Sequence, residues 1–250
     1  MRRSCSTRVP KWGTTVWITT KNILKKICSL ITNKKLNILE IGPGDGRLTE
    51  HILRFEPSNL SLVEIDTELI PILNERFVET KVVKIINEDI LNYSLIEKFD
   101  LIISNLPYNI SSQVLVKICL LEHHPLNLIL MFQKEFAERL LNKELNSLNS
   151  LLNCFYEIHS NFNVSKNCFR PVPKIDSTVL LFNRKKEKLL KKYEIINFID
   201  FKRHLFSRKR KTLKNILRNY NFNKEKFDLS KRIEETSLKE LLKIFREINI

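Results

Sequence analysis

Leu39-Glu40-Ile41-Gly42-Pro43-Gly44-Asp45-Gly46 is the stretch that decides the fold. The chain has 250 residues and only four glycines, and three of the four stand in this segment. Ordinary globular chains carry about 7% glycine, so the economy elsewhere makes the cluster informative. An apolar run, Leu36–Ile41, leads into it, and Leu48–Phe55, with apolar residues at helical spacing, leads out. Glycine is needed in such a strand-to-helix turn for positive φ, for a tight reversal and for the close approach of a ligand to bare backbone.

Outward from the turn the same alternation continues. Asn59–Asp66, Lys81–Asp89, Phe99–Pro107 and Asn127–Gln133 are rich in Ile, Val and Leu, as strands covered on both faces are. Glu68–Phe77 and Ser111–Glu122 lie between them with helical spacing. Strand and helix alternating over a hundred residues predict an α/β fold with a mostly parallel, doubly wound sheet. Ser177–Arg184 reads as one more strand. Beyond it only helical patterns occur, at Ile195–Leu205, Lys211–Asn219 and Ser237–Ile248, the last opened by an N-cap serine with Glu240 three residues on. The expected division is a ligand-binding catalytic domain over residues 1–184 and a small all-α, basic subdomain over residues 185–250.

Charge follows the same division. The chain holds 43 Lys+Arg against 28 Asp+Glu, a net of +15, and 43% hydrophobic residues, enough to build a core. Residues 1–39 contain nine basic residues and no acid, and residues 184–218 contain fourteen basic and three acidic ones. Basic flanks around an acidic body point to a polyanionic partner. The acid-free N-terminus would also suit an organellar transit peptide. No apolar run reaches the roughly 20 residues of a membrane span. The five cysteines are scattered without a C-x-x-C and no His spacing suits a metal, so we expect a reducing, cytoplasmic setting and no metal site.

Glu64 closes the second strand, 22 residues after Gly42, where nucleotide-binding α/β folds place an acid on a ribose diol. Asp89 closes the third and is positioned to accept from an adenine amino group. The loop lacks the G-x-G-x-x-G spacing of dinucleotide sites and is followed by no phosphate-binding lysine. An E-x-G-x-G turn with an acid at the next strand end instead resembles S-adenosylmethionine-dependent methyltransferases.

The fourth strand ends in Asn105-Leu106-Pro107-Tyr108. An exocyclic aromatic amine is a poor nucleophile because its lone pair is delocalised into the ring. Two acceptors on its hydrogens, the Asn105 side-chain carbonyl and a backbone carbonyl of the turn, would bias it towards tetrahedral geometry. Leu106-Pro107 would hold that carbonyl rigidly, and Tyr108 would offer a flat face to the base. Such a site works by positioning rather than by a strong base.

Seven segments in register resemble the ribosomal RNA adenine N6-dimethyltransferase family, specifically its bacterial small-subunit branch: Leu39–Thr49, Val63–Asp66, Glu88–Leu91, Asn105–Ser111, Met131–Leu140, Phe169–Leu181 and Ser207–Leu217. The resemblance spans roughly residues 10–246. It implies a Rossmann-like methyltransferase sheet and S-adenosylmethionine as cofactor, with Gly42, Gly44, Glu64, Asp89 and Asn105 as its contacts. It implies Asn105, Pro107 and Tyr108 at the reacting amine, and Phe169 as a second stacking face. The implied substrate is two adjacent adenosines near the 3′ end of 16S rRNA in a pre-30S particle, each dimethylated during small-subunit maturation by a monomeric enzyme. Arg208, Lys209, Arg210 and Lys211 are the expected RNA-backbone contacts. Two segments depart from the family pattern. Trp12-Gly13-Thr14-Thr15-Val16-Trp17 has threonines where the family carries two amides, and Leu145–Asn149 stands for a Tyr-Gly-x-Leu-Ser patch. The alternatives are the macrolide-resistance type of large-subunit rRNA adenine methyltransferase and a non-catalytic assembly or transcription factor on the same fold.

Overall fold

The computed structural model describes residues 17–248. Its elements, in chain order, are β1 (Trp17–Ile18), α1 (Lys21–Cys28), β2 (Asn37–Ile41), α2 (Arg47–Ile52), β3 (Asn59–Glu64), α3 (Ile70–Phe77), β4 (Val83–Asn87), β5 (Leu101–Asn105), α4 (Ser111–Cys119), β6 (Asn127–Gln133), α5 (Lys134–Leu141), α6 (Asn149–Leu152), β7 (Tyr156–Val164), β8 (Phe169–Arg170), β9 (Ser177–Arg184), α7 (Ile195–Phe206), α8 (Leu213–Ile216) and α9 (Leu238–Glu247). Seven strands form one sheet in the order β4-β3-β2-β5-β6-β9-β7. The five from β4 to β6 are parallel, and β9 and β7 join antiparallel. This is the expected doubly wound, Rossmann-like α/β sheet, with helices alone following β9.

The chain winds outward from β2 to β4, then crosses back to place β5 on the other side of β2. Strand order therefore reverses between β2 and β5, and in open α/β sheets ligands settle in the crevice at the carboxyl ends of such a pair. Ile41 pairs with Ser104, so Gly42 and Asn105 leave the sheet side by side. The Ser104 hydroxyl donates to the Ile41 carbonyl at 2.6 Å and locks the two strand ends together.

Side chains alternate between two cores, as the strand period of two requires. Leu39, Ile41, Ile102, Leu128 and Leu130 enter the cluster under α4, α5 and the C-terminal helices. Ile38, Leu60, Leu62, Leu101, Ile103 and Ile129 enter the opposite cluster, which also holds Leu24, Leu48, Leu73 and Phe77 of α1 to α3. The same parity places Glu40, Glu64 and Asn105 on the second face.

The first cluster continues past Arg184 through Phe198, Leu205, Leu213 and Phe245 without interruption. Polar ties reinforce the junction. The buried Lys202 ammonium donates to the Ser147 carbonyl at 2.5 Å, and Arg246 pairs with Glu194 at 2.7 Å. The Leu145–Asn149 segment is a braced corner: Asn146 and Asn149 accept from each other's backbone N–H at 2.9 and 2.7 Å.

Candidate active site

The glycine turn is built by backbone geometry that side chains resist. Gly42, Gly44 and Gly46 have φ of 65°, 62° and 83°. A Cβ on Gly46 would stand 2.7 Å from the Phe77 ring, so α3 packs against the turn only because that position is bare. A Cβ on Gly44 would stand 3.1 Å from Cδ1 and Nε1 of Trp17, whose indole rests in that cradle.

Beside the turn lies a cleft of about 340 Å³, its open mouth included, lined by Trp17, Leu24, Glu40, Gly42, Pro43, Arg47 and Asn105 among others. Glu64 ends β3 and Asp89 lies two residues past β4, and neither is among the residues lining this cleft.

Glu64, 6% exposed, ends β3 and accepts from Gly44 N–H at 3.1 Å and Asp66 N–H at 3.0 Å. Burial raises its carboxyl above the ordinary range, and these two N–H groups pull it back. A carboxylate has about four acceptor sites, so room is left for a ligand's hydroxyls. Asp89 does not close a strand: β4 stops at Asn87, and Asp89 lies two residues on, half-buried, with Oδ1 accepting from Leu91 N–H at 2.9 Å. Asn87 ties the two strand ends by donating to the Glu64 carbonyl at 2.9 Å.

Asn105 is the last residue of β5 and borders the cleft next to Gly42. In the turn that follows, the Pro107 carbonyl accepts from Ile110 N–H at 3.2 Å and from the Ser111 hydroxyl at 3.1 Å. The half-buried Tyr108 shares a hydrogen bond with Ser177 at 3.2 Å, which anchors its phenol to β9. Burial raises its pKa and the Ser177 contact opposes the rise.

Phe169 does not offer a stacking face here. It pairs with Ile18 across the short β1–β8 ribbon, and its ring is fully buried in the core under α1. A base would reach it only if that ribbon opened. Arg208, Lys209, Arg210 and Lys211 are all exposed, just beyond the end of α7. Trp12, Gly13, Thr14 and Thr15 lie outside the described residues. Among the described residues no group of His, Cys, Asp or Glu gathers to hold a metal, and no helix is long and apolar enough to cross a membrane.

One group that sequence reasoning gave no role is Glu40. It is 1% exposed, lies at the floor of the cleft and accepts from the Thr49 hydroxyl at 2.6 Å. Burial pushes its carboxyl up to about 8, and the nearby Glu64 and Asp45 add to the rise. It is the acid of the E-x-G-x-G turn, and its parity on β2 matches that of Glu64 and Asn105 on their strands.

The residues fit S-adenosylmethionine. Gly42 leaves bare backbone open to a ligand, Glu64 suits a ribose diol, and the buried Trp17 Nε1 has no acceptor among the described residues.

The profile of the ribosomal RNA adenine dimethylase family matches residues 14–249. A Hydrogenobaculum protein named ribosomal RNA small subunit methyltransferase A is 35% identical over 93% of this chain and 90% of its own length. A Malacoplasma penetrans protein of the same name is 40% identical over 83% of this chain and 77% of its own. Among solved structures, a dimethyladenosine transferase from Plasmodium falciparum superposes with a TM-score of 0.81 at 27% identity, covering 93% of this chain and 98% of that one. A 23S rRNA methyltransferase superposes with a TM-score of 0.73 at 20% identity, over 94% and 100%, which supports the fold alone. Sequence, sheet topology and crevice agree, and the chain belongs to the ribosomal RNA adenine dimethylase family.

Proposed function

We propose that this rRNA adenine dimethyltransferase uses S-adenosylmethionine to convert two adjacent adenosines near the 3′ end of small-subunit rRNA to N6,N6-dimethyladenosine, as a step in maturation of the pre-30S particle. The observation that carries the reading is the pairing of Ile41 with Ser104, which sets the glycine turn and Asn105 at one edge of one crevice. When bound there, S-adenosylmethionine supplies an electrophilic methyl on a sulfonium.

The chain's own residues supply the rest. Gly42 offers bare backbone, Gly44 backs the cofactor through Trp17 and through its N–H on Glu64, Glu64 accepts from the ribose hydroxyls, and Asp89 accepts from the adenine amino group. The Asn105 side-chain carbonyl accepts one hydrogen of the target amine. The Pro107 carbonyl is committed to Ile110 and Ser111, so the turn oxygen for the second hydrogen is that of Leu106. Held between these acceptors, the amine turns its lone pair towards the methyl. Tyr108 stacks on the adenine, its ring fixed through Ser177. A base that starts in a stem must be unstacked to reach the site, at a cost of a few kcal/mol.

In this reading residues 1–184 carry the chemistry, while residues 185–250 present the basic surface. Arg208, Lys209, Arg210 and Lys211 contact phosphates. The decisive experiment is transfer of tritium from labelled S-adenosylmethionine to unmodified small and large ribosomal subunits offered together, with dimethyladenosine mapped in the product. Label on large-subunit rRNA, or none at all, would overturn the assignment. Replacing the four basic residues by Gln should reduce the salt slope of RNA binding by about 3 to 4, from roughly 0.7–0.9 per phosphate contact. An unaltered slope would place the RNA elsewhere.

A further inference from the structure

Trp17 presents a conflict between burial and bonding. Its Nε1–H is inaccessible to solvent and has no acceptor among the described residues. Buried indole N–H groups ordinarily find a partner, and an orphaned one calls for an explanation. The indole also lies in a telling place. Its Cδ1 and Nε1 edge rests against Gly44, the turn residue whose N–H is held by Glu64, and it lines the same cleft as Glu40 and Asn105. An orphan donor on the wall of a ligand cleft, with its edge in the glycine cradle, is a donor waiting for the ligand's acceptor.

We propose that the Trp17 indole N–H is a cofactor contact, donating to the carboxylate of the amino-acid arm of S-adenosylmethionine. This rests on the cofactor reading above. The arm is chosen over the nucleoside by connectivity. Ribose and arm branch from one sulfur whose methyl faces Asn105. Glu64 does not line the cleft that Trp17 and Asn105 border, so a ribose held by Glu64 leaves that cleft to the arm. The lining there suits a zwitterion: the Glu40 carboxyl at the floor for the ammonium, and the Trp17 N–H and Arg47 for the carboxylate. Arg47 spends its Nε–H on Asp45 at 2.7 Å and keeps its terminal N–H groups, so the indole would share the carboxylate with it.

The test is calorimetric binding of two product-like ligands to the full chain and to Trp17→Phe. S-adenosylhomocysteine keeps the amino-acid arm, and 5′-methylthioadenosine lacks it. Loss of a hydrogen bond to a charged group should weaken S-adenosylhomocysteine about tenfold or more, and 5′-methylthioadenosine less than twofold. Unchanged affinity for the first, or equal losses for both, would overturn the proposal. Wild-type protein that binds neither would overturn the cofactor reading, and this contact with it. A readout free of any folding defect is the pair of indole N–H resonances in wild-type protein labelled with ¹⁵N-tryptophan. S-adenosylhomocysteine should move the Trp17 resonance downfield and 5′-methylthioadenosine should not. A resonance that ignores both ligands would also refute the contact.

Discussion

Two turns meet at the crevice, and they are made by opposite means. The turn after β2 is shaped by missing side chains: three glycines at positive φ, with Phe77 packed where a Cβ would sit. The turn after β5 is shaped by side chains. Pro107 limits its own backbone and that of Leu106, Ser111 binds back to the Pro107 carbonyl, and Tyr108 is pinned to Ser177. A surface that wraps a ligand has to be bare, and one that steers a reacting group has to be furnished and stiff. If this division is right, damage to the two turns should be separable: lost stability or affinity from the first, lost rate from the second.

The largest expected effect is on rate. Asn105→Ala removes one of two acceptors on the amine, and removal of a single preorganised hydrogen-bonding group typically costs about 10²–10³-fold in turnover. Tritium transfer should fall by that factor while the thermal midpoint stays within a few degrees. Near-normal turnover would deny Asn105 its role. Gly46→Ala should do the reverse. A Cβ at φ 83° and 2.7 Å from Phe77 meets backbone strain and overpacking together. These sum to about 2–4 kcal/mol of lost stability, measured by chemical denaturation. A loss under 1 kcal/mol would mean that α3 yields easily and that the bare turn is not a packing requirement.

Both turns are legible in the sequence, the first from its clustered glycines and the second from residue types that carry chemistry, whereas partnerships between distant segments are not. Strands with an apolar centre are legible for a related reason: the parallel β6 and the antiparallel β9 both have the expected bounds. β7 was missed. Only four of its nine residues, Tyr156, Ile158, Phe162 and Val164, are apolar or aromatic at alternate places, a bulge between Ser160 and Phe162 resets the parity, and one side faces solvent. α1 was hidden among lysines that read first as charge. The helix expected over Lys211–Asn219 shortens to Leu213–Ile216, because Thr212 forms a bridge with Arg232 and Leu213 N–H donates to the Lys231 carbonyl. Ser237 caps α9 as expected, accepting from Glu240 N–H at 3.2 Å. In the Leu145–Asn149 segment, Lys202 comes from 55 residues away to bind Ser147, a contact no local pattern announces. The burial of Phe169 is of the same kind: its partner Ile18 lies about 150 residues away in the chain, which no local pattern announces.

Glu64 sharpens the comparison further, because it belongs to the bare turn through hydrogen bonds rather than through sequence. Glu64→Gln should weaken S-adenosylhomocysteine binding by about 1.5–3 kcal/mol, the scale of a hydrogen bond to a charged group. Calorimetry at constant salt measures it, and an unchanged dissociation constant would remove Glu64 from the ribose site. Turnover at saturating cofactor should change far less than in Asn105→Ala.

The smallest effect separates the two buried carboxyls beneath the bare turn. Glu64 is held by two backbone N–H groups, whereas Glu40 has one hydroxyl, from Thr49, and faces Glu64 and Asp45. Glu40 is accordingly held up at about 8 in the folded chain, chiefly by burial, against about 4.3 when unfolded. Between those values the folded state binds more protons than the unfolded one, so unfolding free energy must decline as pH rises. The contribution is complete below the unfolded value and is lost as pH climbs through about 8. Glu40→Gln keeps an acceptor for Thr49 and cannot ionise. Its stability should therefore fall less steeply than wild type between about pH 5 and 8, with the variants compared by denaturant titration at several pH values. Glu64 is raised as well and contributes a slope of the same sign, so only the difference between Glu40→Gln and wild type isolates Glu40. Parallel pH profiles would show that Glu40 is charged in the folded chain, with its ionic form supported by the turn as fully as that of Glu64.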